Sequence, residues 1–218
     1  REHPVQVEGL EGGLTFDVRV TLWAGEDQVK LRIANYHTNI VYLEKNGEVL
    51  HRLPVDGEEE NGLADRSLLN VWDIYDFAET VDLADVQEVI GRQITYNMAI
   101  SQEGLTGNYG ANIGKVLRNT YGSEDVVIRA KAAAAAGSDA RMGGCELPVV
   151  INSGSGNQGI TASVPVIVFA EEWGASREKL TRALVLSNLV TIHQKSRIGR
   201  LSAYCGAVSA GAGAGAGI

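Results

Sequence analysis

The apolar residues of this chain change their spacing once along its length, and that change restricts the folds open to it. Between Leu14 and Leu22 the apolar Leu14, Phe16, Val18, Val20 and Leu22 alternate with Thr15, Asp17, Arg19 and Thr21. This is the period of a strand with one buried face. Gly25-Glu26-Asp27 predicts a turn into Val29, Leu31 and Ile33, and Asn46-Gly47 predicts a hairpin joining residues 40–43 to 49–53. After the acidic loop at 56–61 the period lengthens. Leu68, Leu69, Val71, Trp72, Tyr75 and Phe77 recur at helical spacing, as do Val86, Val89, Ile90, Ile94 and Met98. Further helices are predicted over 110–136, where an alanine run is closed by Gly137, and over 160–172, 176–195 and 202–218. Strands come first and helices after, without the alternation that builds a doubly wound parallel sheet. The expected fold is therefore α+β: an antiparallel β meander over residues 1–60, then a mainly helical portion over 61–218, with the boundary near 56–66.

A length of 218 residues suffices for one large domain or two small ones with a real core. With 44% hydrophobic and 21% charged residues, intrinsic disorder is excluded, and no apolar run reaches the roughly 18 residues of a membrane span. The net charge of -8 removes the basic footprint of a general nucleic-acid binder. No nucleic acid and no membrane are expected as partners. The charge is uneven: residues 1–100 carry -11 and residues 101–218 carry +3. A mildly basic back half, in a chain where 26 of the 218 residues are glycine, suits a small anionic molecule.

The richest stretch follows the apolar run Leu147-Pro148-Val149-Val150-Ile151-Asn152. It is Ser153-Gly154-Ser155-Gly156-Asn157-Gln158-Gly159-Ile160-Thr161, a polar glycine loop opening a predicted helix. Gly154, Gly156 and Gly159 satisfy the spacing GxGxxG, the ground for a nucleotide-dependent oxidoreductase as a rival class. The dinucleotide fingerprint also needs a second strand ending in an acid about 20 residues on, whereas Glu171 and Glu172 stand in a predicted helix. What the loop does offer is a row of backbone N–H groups with little side-chain bulk, a seat for a carboxylate or phosphate, to which Asn157 and Gln158 add hydrogen bonds. The same glycines also serve plain close packing of helices.

Asp139 and Arg141 lie two residues apart near Gly143 and Gly144. On spacing they read as an ion pair, with Arg141 also able to clamp a carboxylate. The chain has two cysteines, without CxxC spacing, which excludes a secreted disulfide scaffold. Cys205 opens the last helix, where the helix dipole favours a thiolate and hence a nucleophile or metal ligand; a buried small hydrophobe is the alternative role, and it suits Cys145 better. His3, His37, His51 and His193 show no metal-binding spacing. His37, at a polar turn after the first strands, is a proton-transfer candidate or a turn residue. Another class remains open: residues 4–55 as a binding or assembly module whose edge strands pair with a partner.

Taken together, Ser138-Asp139-Ala140-Arg141-Met142-Gly143-Gly144, the loop at 153–161 and Cys205-Gly206-Ala207 with its Gly-Ala helix resemble the L-cysteine desulfidase family, which is related to the serine dehydratase alpha chain. His37-Thr38-Asn39-Ile40 and Glu44-Lys45-Asn46-Gly47-Glu48 are similar to its β region. The resemblance implies a lyase that eliminates the β-substituent of a small amino acid. L-Cysteine would give pyruvate, ammonia and sulfide, and L-serine pyruvate and ammonia, by way of an oxygen-sensitive 4Fe-4S cluster with three cysteine ligands and one open iron. Cys205 matches one ligand position, and Ser153, Gly154, Ser155, Gly156, Asn157, Gln158, Gly159 and Arg141 the substrate seat, with His37 for proton transfer. The family's other ligand motifs are not present here. The chain is accordingly expected to be a central fragment, unable to hold the cluster alone, of a cytoplasmic enzyme that is a possible homo-oligomer.

Overall fold

The computed structural model describes residues 4–11, 13–14, 16–36, 38–55, 64–198 and 204–218. The chain forms two compact units, Arg1–Ala64 and Asp65–Ile218.

The first unit is a four-stranded antiparallel sheet in sequence order, β1 (Asp17–Ala24), β2 (Asp27–Ala34), β3 (Ile40–Lys45) and β4 (Glu48–Arg52). Tight turns join the strands: Gly25 (φ 65°) between β1 and β2, Asn46 (φ 51°) and Gly47 (φ 86°) between β3 and β4. Asn46 ties the two turns together, since its Oδ1 accepts from Gln28 N–H at 2.7 Å and its Nδ2 donates to Asp27 at 2.7 Å. The register pairs Val18 with Ile33, Val20 with Leu31 and Leu22 with Val29, so the alternating apolar residues share one face. β1 begins at Asp17 rather than Leu14. Asp17 anchors that end by accepting from Arg32 Nε and Nη2, both at 2.8 Å.

The second unit opens with a 3-10 turn, Arg66–Leu68, followed by seven helices: α1 (Val71–Thr80), α2 (Leu83–Thr106), α3 (Ile113–Tyr121), α4 (Val126–Met142), α5 (Gly156–Glu172), α6 (Arg177–Ser196) and α7 (Gly206–Gly217). The starts of five of them are written in short polar residues. Asn70, Asp82, Asp125, Ser155 and Ser176 each accept a first-turn N–H from α1, α2, α4, α5 and α6.

The helix expected over 110–136 is instead two. α3 stops at Gly122 (φ 80°), while α4 carries the alanine run and continues through Gly137 to Met142. Gly137 is a packing residue rather than a stop, because a Cβ there would stand 2.6 Å from Ser101 Oγ and 3.2 Å from Ile160. The alanine run lets neighbours approach closely as well: a Cβ at Gly104 of α2 would stand 2.0 Å from Ala136 O. Ile100, Ala133, Ala140, Ile160 and Val164 form one core cluster here, and Ile90, Val166, Ile167, Leu184 and Val185 belong to a second.

Glycine contacts also fix helix directions. Gly206 of α7 lies against Gln158 and Gly217 against Val166, so α5 and α7 run the same way. Gly213 lies against Thr191 and Gly217 against Ala183, so α6 runs opposite to both. One end of this bundle therefore gathers the starts of α5 and α7 and the end of α6.

Candidate functional site

The glycine loop hangs from a buried polar frame. Asn97 of α2 is fully buried; its Oδ1 accepts from Val150 N–H at 2.9 Å, and its Nδ2 donates to Val150 O at 3.2 Å and Ser163 Oγ at 2.9 Å. Asn152 Nδ2 donates to Asn188 Oδ1 at 2.9 Å, and Asn188 and Gln93 exchange amide hydrogen bonds at 2.7 and 3.0 Å. A low local dielectric strengthens such a satisfied network, and it fixes the loop to α2 and α6.

From this anchor the chain makes a tight turn. Asn152 and Ser155 exchange backbone hydrogen bonds at 3.1 and 3.0 Å, across Ser153 (φ 49°) and Gly154 (φ 81°). Two successive left-handed residues are what a primed turn requires, and glycine meets that demand at 154 without strain. Ser153 accepts the strain, with its Oγ donating to Asn152 Oδ1 at 2.9 Å.

Ser155 caps α5: its Oγ accepts from Gln158 N–H at 3.4 Å and its carbonyl from Gly159 N–H at 3.1 Å. The N–H groups of Gly156 and Asn157 find no acceptor among the described residues, leaving two donors at a helix start where the dipole favours an anion. Gly159 holds the helix close to the loop, since a Cβ there would stand 2.0 Å from Val150 O. Arg141, in the last turn of α4, lies across Gly156, where a Cβ would stand 2.2 Å from its Nε, and donates from Nη1 to Asn157 Oδ1 at 3.3 Å. A cation and two N–H donors thus converge on one spot.

The expected Asp139–Arg141 ion pair is not found among the described residues. α4 extends through both positions, and residues two apart on a helix point to different sides. Asp139 instead caps α3, accepting from Ile113 N–H at 2.7 Å. That frees Arg141 for the loop.

Gln158 has the spacing to complete a capping box with Ser155, but Ser155 N–H is already committed to Asn152 O. Its amide turns instead to α7, where a Cβ at Gly206 would stand 2.3 Å from Gln158 Cδ. Gln158 is 7% exposed, and its Oε1 has no hydrogen-bond partner among the described residues. Cys205 is the exposed residue capping α7, with no side-chain cap bond. The loop, Arg141 and Cys205 are brought to neighbouring positions by these contacts.

Cys145 sits half-buried against the cluster around Ile100 and Ala140. Beside it Tyr109 donates to Glu103 at 2.9 Å; that bond first, and Cys145 second, push the Tyr109 phenol up to about 12. His37 lies outside the described residues, as does His3. His51 Nε2 meets Ile40 O at 3.0 Å within the sheet, and His193 stands in the last turn of α6. The segment before the loop is not a strand of a parallel sheet, so GxGxxG lacks its nucleotide-binding context. No described helix is long and apolar enough to cross a membrane.

Residues 21–218 match the serine dehydratase alpha chain family. The chain belongs to that family. Its relatives include a UPF0597 protein of Desulfitobacterium hafniense, 55% identical over 217 residues, covering all of this chain and 50% of the relative. Another, from Lachnoclostridium phytofermentans, is 53% identical over 213 residues, covering 98% of this chain and 51% of the relative. A third, from Actinobacillus pleuropneumoniae serotype 3, is 43% identical over 221 residues, covering all of this chain and 51% of the relative. The chain spans about half the length of the curated relatives it matches. No solved structure matches it.

The donor set of this serine dehydratase alpha-type chain does not fit an iron-sulfur cluster by itself. Such clusters are held by several thiolates, and the chain has two cysteines, one of them packed against a core cluster. No three His, Cys, Asp or Glu side chains gather into a metal site among the described residues.

Sequence reasoning missed the supporting frame, Gln93, Asn97, Asn152 and Asn188. A signal was present: Gln93, Asn97 and Ser101 recur every four residues along α2, and all three are buried. Polar residues in an inward-facing row mark a network that something must satisfy.

Proposed function

We propose that the full-length protein is a β-eliminating lyase acting on a small α-amino acid, with L-cysteine converted to pyruvate, ammonia and sulfide. Loss of a proton from Cα and of the thiolate from Cβ leaves 2-aminoacrylate, whose imine tautomer hydrolyses to pyruvate and ammonia. L-Serine as substrate, losing water in place of hydrogen sulfide, is the alternative, and membership of the serine dehydratase alpha chain family speaks for it.

The observation that carries this reading is the open helix start at Gly156 and Asn157, with Arg141 beside it. In the proposal these N–H groups and Arg141 hold the substrate carboxylate and so fix the orientation of Cα and Cβ. Ser153, Gly154, Ser155 and Gly159 shape the seat. Cys205 is the one thiol of this chain assigned to a 4Fe-4S cluster, whose remaining ligands lie outside the chain. An unpaired exposed thiol suits a reducing, cytoplasmic setting.

The test is anaerobic iron and sulfide reconstitution of the full-length protein, followed by pyruvate and sulfide release from L-cysteine with L-serine in parallel. Sulfide with pyruvate supports the desulfidase reading. Pyruvate from serine alone moves it to the dehydratase. A formed cluster with no turnover of either removes the activity and leaves a binding or assembly role.

A further inference from the structure

Arg141 is held in place by groups that leave its charge intact. Among the described residues its hydrogen-bond acceptors are Asn157 Oδ1 at 3.3 Å and Met142 Sδ at 3.5 Å, both neutral. No described carboxylate forms an ion pair with it, whereas in the same unit Arg129 pairs with Glu172 and Arg182 with Glu178. Asp139, two residues away, is turned to Ile113 N–H.

Two adjacent residues of α5 fix where that charge sits. Gly156 is the floor, since a Cβ there would stand 2.2 Å from Arg141 Nε and 2.7 Å from Arg141 Cδ. Asn157 is the stop, its Oδ1 accepting from Nη1. Residue 157 therefore meets the site twice: its backbone N–H is one of the two open donors, and its side chain steers the cation. An aspartate at 157 has the same shape as asparagine and changes the charge alone. It would gain from the helix dipole and from an ion pair with Arg141. Asparagine forgoes both gains. A residue that forgoes local stability at a binding site is held there by function.

We propose that Asn157 is a positioning residue: its side chain holds the Arg141 guanidinium beside the open start of α5 without neutralising it, so that the ligand's own carboxylate supplies the counter-charge. The neutral acceptor at 157 is thereby the residue that sets the preference for an anionic ligand. An acid at this position would place a tethered carboxylate against Arg141 and the two N–H donors, at an effective concentration that a free ligand does not match. This inference rests on the small-amino-acid reading above, and adds to it the residue that aims the cation and the condition that this residue be uncharged.

Isothermal titration of the 218-residue chain with L-alanine, which lacks a leaving group, and with L-alaninamide, which lacks the carboxylate, tests it alongside thermal unfolding. The unmodified chain is expected to bind L-alanine at least about tenfold tighter than L-alaninamide. Asn157→Asp is expected to weaken L-alanine at least about tenfold and to abolish that preference, while the melting temperature rises by about 2 to 4 °C. Asn157→Ala, which frees the guanidinium without opposing it, is expected to weaken L-alanine by about three- to tenfold. A merely structural role for Asn157 makes affinity and melting temperature fall together and leaves the preference between the ligands unmoved; that result overturns the proposal. So does an Asn157→Asp affinity for L-alanine within about twofold of the unmodified chain. In that case the amino-acid seat stands and this inference alone falls, whereas no L-alanine binding by the unmodified chain removes both. The expected preferences in a full-length protein that releases no pyruvate leave this inference standing and remove the lyase.

Discussion

Gln158 of α5 occupies the place where any side chain at position 206 of α7 would begin, with its Cδ 2.3 Å from where a Cβ on Gly206 would stand. Glycine at 206 is thus a condition for α5 and α7 to start side by side. Gly206→Ala is expected to cost about 1 to 3 kcal/mol in urea unfolding, the usual range for overpacking. Gln158→Ala alone removes the obstructing amide, so the double variant is expected to be more stable than the sum of the single effects. Strict additivity would mean that the two residues do not press on each other.

Asn97 is the residue on which the loop hangs. Asn97→Ala leaves Val150 N–H and C=O and Ser163 without their buried partner, at an expected cost of about 2 to 4 kcal/mol. Hydrogen exchange distinguishes this from a diffuse loss of packing: protection is expected to fall first at Val150 and Asn152, ahead of the α4 core. Uniform loss across α2, α4 and α5 would contradict the anchoring role.

Arg141 reaches the loop because α4 continues past Gly137. Arg141→Ala is expected to raise the KM for the amino acid about tenfold or more in the active full-length protein, and Arg141→Lys to recover only part, because a single ammonium does not reproduce the guanidinium fork. An unchanged KM in both variants would take Arg141 out of the substrate seat.

The sheet carries its own pH dependence. Arg32 chiefly, with help from Arg19 and against an opposing push from burial, holds the Asp17 carboxyl at about 2, below the ordinary 3.8. A folded value below the unfolded one means that the stabilisation is complete above pH 4 and is lost as the pH falls through about 2. Both arginines are partly exposed, so solvent screening reduces the effect to about 1 kcal/mol. Hydrogen exchange of β1 and β2 is expected to accelerate between pH 4 and pH 2, and Asp17→Asn to flatten that dependence. An identical profile in the variant would contradict it.

The fold was legible where local chemistry and global packing agree. Alternation at 14–22 and Asn46-Gly47 specify the meander, because strand pairing there is between sequence neighbours. The glycines misled where they serve contacts distant in sequence: Gly137 looks like a helix stop until Ser101 and Ile160 are seen beside it. The same holds for the site. The loop at 153–159 announces an open helix start, since that depends on local backbone. The partnerships of Arg141 with Asn157 and of Gln158 with Gly206 depend on how α4, α5 and α7 pack. No spacing rule carries that information.

The central claim is that the open helix start at Gly156 and Asn157, beside Arg141 and close to Gly206, is an amino-acid site, and backbone amide NMR of the chain titrated with L-alanine tests it most directly. The account predicts saturable shifts at the Gly156, Asn157, Gly206 and Ala207 amides, larger than those elsewhere in the helical unit. Saturable shifts confined to other residues, or none at these four, would contradict it.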